Sequence, residues 1–198
     1  MLLKPNQHFF PQGLSTPFYN PKEFPWELLD KMKIELQQMK FEIRCFVPPG
    51  AILENEGEIF MDEEVIIEPG AFIRGPCVLK QGVVVRCGAY IRGNVWVGKN
   101  SVVGHACELK NVLVGEESKF AHFVYAADSV IGSRVNLASR VTLSNSRLDR
   151  KEVLPMKRAK FGSVIGDEVC IGCHVVLNPG KQVEPKTIIY LEQQLITK

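Results

Sequence analysis

Arg74, Arg92 and Lys110 follow one another at intervals of eighteen residues, and His105 and His122 are seventeen apart. Cations recurring at a fixed long interval suit an anion. Lysine supplies a compact charge, and arginine a planar fork that matches phosphate oxygens. Imidazoles suit proton transfer near neutral pH. Asn111, Asp128 and Asn145 also recur every seventeen residues, a spacing that a stack of amides could use structurally. Cys170 and Cys173 form a CxxC, but no second CxxC or suitably placed histidine completes a zinc site. The six cysteines therefore read as small packing residues of a reducing compartment, and no metal is expected.

Such spacings matter only if the fold brings residues one interval apart into contact. From Met61 onward the chain has a period of six. Met61, Ile67, Ile73, Leu79, Val85, Ile91, Val97, Val103 and Leu109 are apolar and six apart. A five-residue step leads to Val114, Phe120 and Ala126, and another to Ile131, Leu137 and Leu143. Beyond an interruption the rows resume at Ile165, Ile171, Leu177, Val183 and Ile189. Four residues after most row starts lies a small or β-branched residue, as at Val65, Ala71, Cys77, Val83 and Ala89. This beat fits neither a helix nor a hairpin sheet, and a sandwich would not keep it over so many rows. It is the signature of a parallel β-helix, an all-β solenoid in which three hexapeptides make one coil. The large side chain fills the prism, the smaller one fits a tighter inner place, and the core runs on from coil to coil.

Stacked coils lie about 4.8 Å apart. Arg74, Arg92 and Lys110 then form a ladder of outward cations, each adjacent pair repelling by a few kcal/mol at an effective dielectric of ~20. Side chains fanning into water and a bound anion would each relieve that repulsion. Cys87, His105, His122 and Ser139 make a second column, and Asn111, Asp128 and Asn145 a third. One side of the middle coils is chemically dressed.

Two segments stand outside the repeat. Residues 25–40 read as a helix, with Pro25 in its first turn and Leu29, Met32, Leu36 and Met39 as an apolar stripe. It is expected to cap the N-terminal end of the prism. Residues 1–24, with Pro5, Pro11, Pro17 and Pro21, read as an extended arm. The expected division is 1–45 as arm and capping helix, and 46–198 as β-helix with an inserted loop at 148–164. That loop carries five Lys or Arg residues, and long loops in regular solenoids are commonly functional or mobile.

Composition bounds the classes. A length of 198 residues suits one domain with a small appendage. With 45% hydrophobic and 23% charged residues the chain is not a disordered tail protein. A net charge of +2 gives no global field for nucleic acid. No apolar run approaches the ~18 residues of a membrane span, and residues 1–10 make a poor signal peptide. A cytoplasmic protein with neither nucleic acid nor membrane as partner is expected.

Four stretches carry a resemblance: IRGNVWVGKNSVVGHACELKN (91–111), SKFAHFVYAADSVIGSRVNLAS (118–139), LSNS (143–146) and KFGSVIGDEVCIGCHVVLNPG (160–180). Together they resemble the acetyltransferase domain of the bacterial bifunctional enzyme that makes UDP-N-acetylglucosamine. That domain is a left-handed parallel β-helix that acetylates glucosamine-1-phosphate from acetyl-CoA. The resemblance implies that Arg92 and Lys110 clamp the sugar phosphate, joined by Lys160 from the loop; the cation ladder adds Arg74 as an outer steering charge. It implies His122 as general base, Tyr125 and Asn136 as substrate-orienting groups, and Asn145 as holding the sugar or the reacting amine. Ser139 and Cys173 fall on the acetyl-CoA side. Tyr125 is expected beyond His122 on the same strand, with Asp128 as an orienting acid.

The resembled family forms trimers with sites at subunit interfaces, so a homotrimer is expected. There are departures. The first 60 residues are too short for a nucleotide-binding domain, so uridylyl transfer is not expected. Ala121 and Ala127 replace glycines, Cys173 replaces a small hydroxyl residue, and the prism is expected to end near Ile189, a coil early and without the CoA-contacting arm. The implied function is a CoA-dependent N-acetyltransferase acting on an amino-sugar phosphate, in nucleotide-sugar synthesis. The alternative is a non-catalytic sugar-phosphate-binding scaffold that partners a separate sugar nucleotidyltransferase. A lipid A type acyltransferase would need a hydrophobic ruler that the chain does not display.

Overall fold

The computed structural model describes residues 3–191. The apolar rows close into a prism with three flanks. The first flank runs through Ile52–Glu54, Phe72–Arg74, Tyr90–Arg92, Glu108–Val114, Tyr125–Ile131, Thr142–Leu143 and Val176–Leu177. The second contains Ile59–Met61, Cys77–Leu79, Val95–Val97, Ser163–Ile165 and Lys181–Val183, and the third runs from Ile66–Ile67 to Ile188–Ile189. Every strand pairing between coils is parallel. Glu108–Val114 and Tyr125–Ile131 pass unbroken from the first flank into the second, which merges those two flanks into one sheet of 12 strands beside a third flank of 7. The architecture is the parallel β-helix that the six-residue beat predicts, of the left-handed kind that the resemblance implies.

The interior repeats the sequence pattern. Row starts such as Ile73, Ile91, Leu109 and Leu137 and the smaller residues Ala71, Ala89 and Cys107 share one continuous buried cluster. Corners turn on residues with positive φ, a conformation that costs an L-residue roughly 1–2 kcal/mol and that glycine adopts freely. Between the third and first flanks these residues are Gly50, Gly70, Gly88, Ala106, Phe123, Arg140 and His174.

The segments outside the repeat depart from expectation. The helix spans Glu27–Gln38, and Pro25 lies before it in a turn in which the Leu28 N–H donates to the Pro25 carbonyl. Leu28, Leu29, Met32 and Leu36 are buried, as the stripe requires, but the helix lies along the second flank instead of across the N-terminal end. It contacts Glu108–Val114 and Tyr125–Ile131 directly and shares a buried cluster with Phe60, Val78, Trp96, Leu113, Val130 and Val164, outward residues of successive second-flank strands. Covering a flank buries this apolar column, at about 1.5–3 kcal/mol for each large side chain. An end cap would bury a single coil.

Nor is the arm extended. It holds a short helix at Asn6–Phe9 and folds back on itself, with the Asn6 N–H on the Glu23 carbonyl at 2.7 Å and the Asn6 amide on the Asn20 carbonyl at 2.7 Å. Phe9 and Phe10 are fully buried. The Phe9 carbonyl accepts from the Asp167 N–H at 3.0 Å, and Lys4 bonds Glu184 at 2.6 Å.

The inserted loop is shorter and more fixed than expected. Ser163 and Val164 already belong to a strand, and Val153, Met156 and Phe161 are buried in the helix-covered cluster. Arg158 forms a two-point ion pair with Asp30 of the helix. Ile43 bridges to Met61, so pairing to the prism starts slightly before residue 46. The strand at Ile188–Ile189 is the last described, and the expected loss of a C-terminal arm falls outside the described residues.

Candidate active site

The stacking of Arg74 on Arg92 holds in register, and Leu109 follows Ile91, so Lys110 comes next in the ladder. The ladder is not bare, however. Arg74 donates to Glu54 at 2.6 Å and Arg92 to Glu108 at 2.5 Å. These carboxylates remove most of the cation–cation repulsion and neutralise Arg74 as a steering charge. The hydrogen bond to Glu108 holds the Arg92 guanidinium more firmly in its charged form. The Arg92 Nε is buried and has no partner among the described residues.

Tyr125 stands on the same outward face as Arg92. Its neighbour across the ladder is Glu108. Burial first, and then the negative charge of Glu108, pushes the phenol pKa up. The hydroxyl therefore stays protonated at neutral pH and can donate. It does not share a strand with His122. His122 ends Lys119–His122 on the third flank, and the chain turns through Phe123 before Tyr125 opens the first flank.

His122 and His105 pair in register, and both are exposed. The His105 Nδ1–H donates to the Cys87 carbonyl at 2.7 Å. His122 makes no side-chain hydrogen bond among the described residues. Asp128, expected to orient it, is committed elsewhere. Its carboxylate accepts from the Asn111 amide at 2.6 Å and from the Asn145 amide at 2.5 Å. All three side chains are buried, at 7–9% exposure, at the corner between the first and second flanks. Asn111 and Asp128 have positive φ there, so the third column is a corner clamp. Asn145 thus spends one amide N–H on Asp128, which leaves its second N–H and its carbonyl oxygen as the groups it could offer a sugar.

The clamp nevertheless positions cations. Lys110 immediately precedes Asn111. The Phe161 N–H donates to the Asn145 carbonyl at 2.9 Å, which returns Lys160 to the same corner. Arg92, Lys110, Tyr125 and Lys160 thus collect along the first flank. His122, Ser139 and Cys173 line the edge between the third and first flanks, where Asn136 pairs with Lys119 and with Cys170. Asn136 lies on the exposed third flank and does not join the first-flank group within one chain.

Sequence reasoning missed two features. Glu54 and Glu108 as partners of the ladder were readable as acids next to the cation columns. Phe123 and Arg140, which replace glycine at the corner, stood in a column of their own. Among the described residues, no group of three or more His, Cys, Asp or Glu could hold a metal ion. Among the same residues, no helix is long and apolar enough to cross a membrane.

Comparison with known proteins identifies relatives. Residues 73–196 match the family model described as the GMPPB C-terminal domain. The chain is 28% identical to the bifunctional protein GlmU of Methanococcus aeolicus, over 91% of this chain and 49% of that protein. It thus spans about half the length of the GlmU proteins it matches. It is 29% identical to an uncharacterised acetyltransferase, YaiX, of Escherichia coli strain 536, over 84% of this chain and 75% of that protein. Among solved structures it aligns with the acetyltransferase domain of PglB from Neisseria gonorrhoeae. That match has 12% identity and a TM-score of 0.39, and covers 84% of this chain and 63% of the other.

Proposed function

Because the chain belongs to the GMPPB C-terminal domain family, we propose that it is a CoA-dependent N-acetyltransferase acting on an amino-sugar phosphate such as glucosamine-1-phosphate. The observation that carries this reading is His122, an exposed imidazole at the end of a third-flank strand, one corner ahead of Tyr125 and of the first flank that presents Arg92 and Lys110. Acetyl-CoA supplies the acyl group as co-substrate. His122 takes the proton from the sugar amine as its nitrogen attacks the thioester carbonyl carbon. A C–N bond forms, the C–S bond breaks, and the proton returns to the departing thiolate. Arg92, Lys110 and Lys160 hold the phosphate, and Tyr125 donates its hydroxyl to the sugar. Ser139 and Cys173 flank the acyl donor along the histidine column. Incubation with acetyl-CoA and glucosamine-1-phosphate should release free thiol. Sugar-phosphate binding without thiol release would leave the scaffold reading in its place.

Replacing Arg92 or Lys110 by alanine should weaken glucosamine-1-phosphate binding about tenfold or more, since charge-assisted hydrogen bonds are lost. The melting temperature should hardly move, because the Arg92–Glu108 pair is a third exposed on each side and such pairs contribute little. Calorimetry checks the first outcome. Equal binding of unphosphorylated glucosamine by the native protein would assign the cations another task.

The second flank is sheathed by its own arm and helix, whereas the first and third carry exposed Ile52, Val176, Ile66 and Ile188. We infer a homotrimer that covers these two bare flanks by closed symmetry. Light scattering that finds a monomer at micromolar concentration would overturn it.

A further inference from the structure

The corner between the third and first flanks changes character along the prism. Gly50, Gly70 and Gly88 occupy its positive-φ position in the early coils, and Ala106, Phe123, Arg140 and His174 in the later ones. The corner between the second and third flanks also carries non-glycine residues, but there the signs alternate. Glu117, Arg134, Glu168 and Lys186 follow in turn, with Arg134 on Glu168 at 3.2 Å. Among the described residues, no acid stands at a positive-φ position of the third-to-first corner. Arg74, Arg86, Arg92 and Arg134 each face a carboxylate, whereas Arg140 has none within salt-bridge reach among the described residues.

Arg140 is nevertheless held. Its N–H donates to the His122 carbonyl at 2.9 Å, which sets it one rung beyond the histidine. Its guanidinium carbon lies 5.6 Å from the centre of the Phe123 ring, and His105 meets the same ring edge-on at 5.3 Å. Phe123 is 49% exposed, with its ring standing out at the corner. A guanidinium resting on an aromatic ring keeps its N–H donors free, because the ring face accepts charge and not hydrogen bonds. An uncompensated, aromatic-mounted fork with free donors matches a phosphate oxyanion.

We propose that Arg140, mounted on Phe123 beside His122, is a receptor for a ligand phosphate, in addition to the ladder of Arg92 and Lys110. This rests on the reading above in that it takes the ligand to pass His122. Its chemistry fits the phosphate of the amino sugar and the phosphates of the acyl donor alike. Arg140 binds, and Phe123 is a positioning residue.

The test is calorimetry on the full chain with four probes: glucosamine-1-phosphate, glucosamine, CoA and pantetheine. Arg140→Gly should weaken one phosphorylated probe about tenfold or more and leave its phosphate-free counterpart unchanged. The affected pair identifies the source. Glycine suits positive φ better than arginine, so the variant should melt no lower than the native protein, and loss of binding then cannot be loss of fold. Phe123→Leu should weaken the same probe by about two- to fivefold, and Phe123→Tyr should restore it. Unchanged affinity of Arg140→Gly for both phosphorylated probes overturns the proposal, as does a native protein that binds neither. Binding is read without turnover, so a native protein that binds CoA but releases no thiol defeats the acetyltransferase reading alone. Active enzyme whose binding ignores Arg140 defeats only the receptor.

Discussion

Replacing His122 by alanine should lower the kcat of acetyl transfer by about 10²-fold or more, with little change in sugar-phosphate affinity. The amine must shed a proton as it attacks, so the base acts in the transition state and not in ground-state binding. The variant isolates that role because the imidazole supports nothing structural. His122 is exposed, its side chain makes no hydrogen bond among the described residues, and its carbonyl, which receives the Arg140 N–H at 2.9 Å, survives the change. His105 is the control, since it lies one rung away in the same column. A larger kcat loss in His105→Ala, or activity that persists in His122→Ala, would remove His122 from the chemistry.

Gly104→Ala should be the most damaging small substitution in the prism. A Cβ at that position would lie 1.7 Å from the Ala121 carbonyl oxygen and 2.2 Å from that of Phe120. Both are peptide oxygens of the next rung, fixed by the pairing of Val103 with Phe120 and of His105 with His122. A flexible side chain could swing aside, but these carbonyls can move only if the rung opens. The expected cost is about 3 kcal/mol or more, at or above the ~1–3 kcal/mol of ordinary overpacking. That corresponds to a fall of roughly 6–12 °C in melting temperature. Gly57, where an added Cβ meets nothing within 4 Å, is the reference, and Gly57→Ala should change stability by about 0.5 kcal/mol or less. Thermal melts of equal midpoint for the two variants would mean that the rung at Gly104 yields.

The periodic part of the fold was legible because a solenoid converts sequence interval directly into spatial neighbourhood. Met61 to Ile189 could be stacked by counting, and the column of His105 over His122 followed without further information. The path of the helix did not follow from its own stripe, since an apolar stripe says that a helix is covered and not by what. The answer lay in another column. Phe60, Val78, Trp96, Leu113, Val130 and Val164 each precede a row start, point outward and are apolar, which marks the second flank as the covered one. The arm was misread because four prolines suggest extension, whereas Phe9 and Phe10 supply enough apolar surface to fold it down. At the site, columns gave the cations but not their charge balance. Glu54 is the direct rung partner of Arg74, but across a first coil of 20 residues that the eighteen-residue count does not reach, and Glu108 meets Arg92 on a slant, 16 residues on. Asn145 shows the same limit: its column was visible, and whether its amide faced ligand or neighbour depended on the corner.

A stack in which each coil touches only the next behaves as a row of coupled units, and such rows come apart from their ends. Here the segment before the prism runs along it as a strap. It meets the second flank at Phe60 and again at Val164, joins Phe9 to Asp167, and ends in the contact of Lys4 with Glu184, residues 180 apart in sequence. The early and late coils are thereby tied to one strap, through an apolar seam from Phe60 to Val164 and an ion pair at Glu184, and neither end can peel away without breaking that tie. Unfolding should accordingly be a single cooperative transition with no gradual fraying, and folding should be slow, because contacts this distant close a long loop before they return any stabilisation.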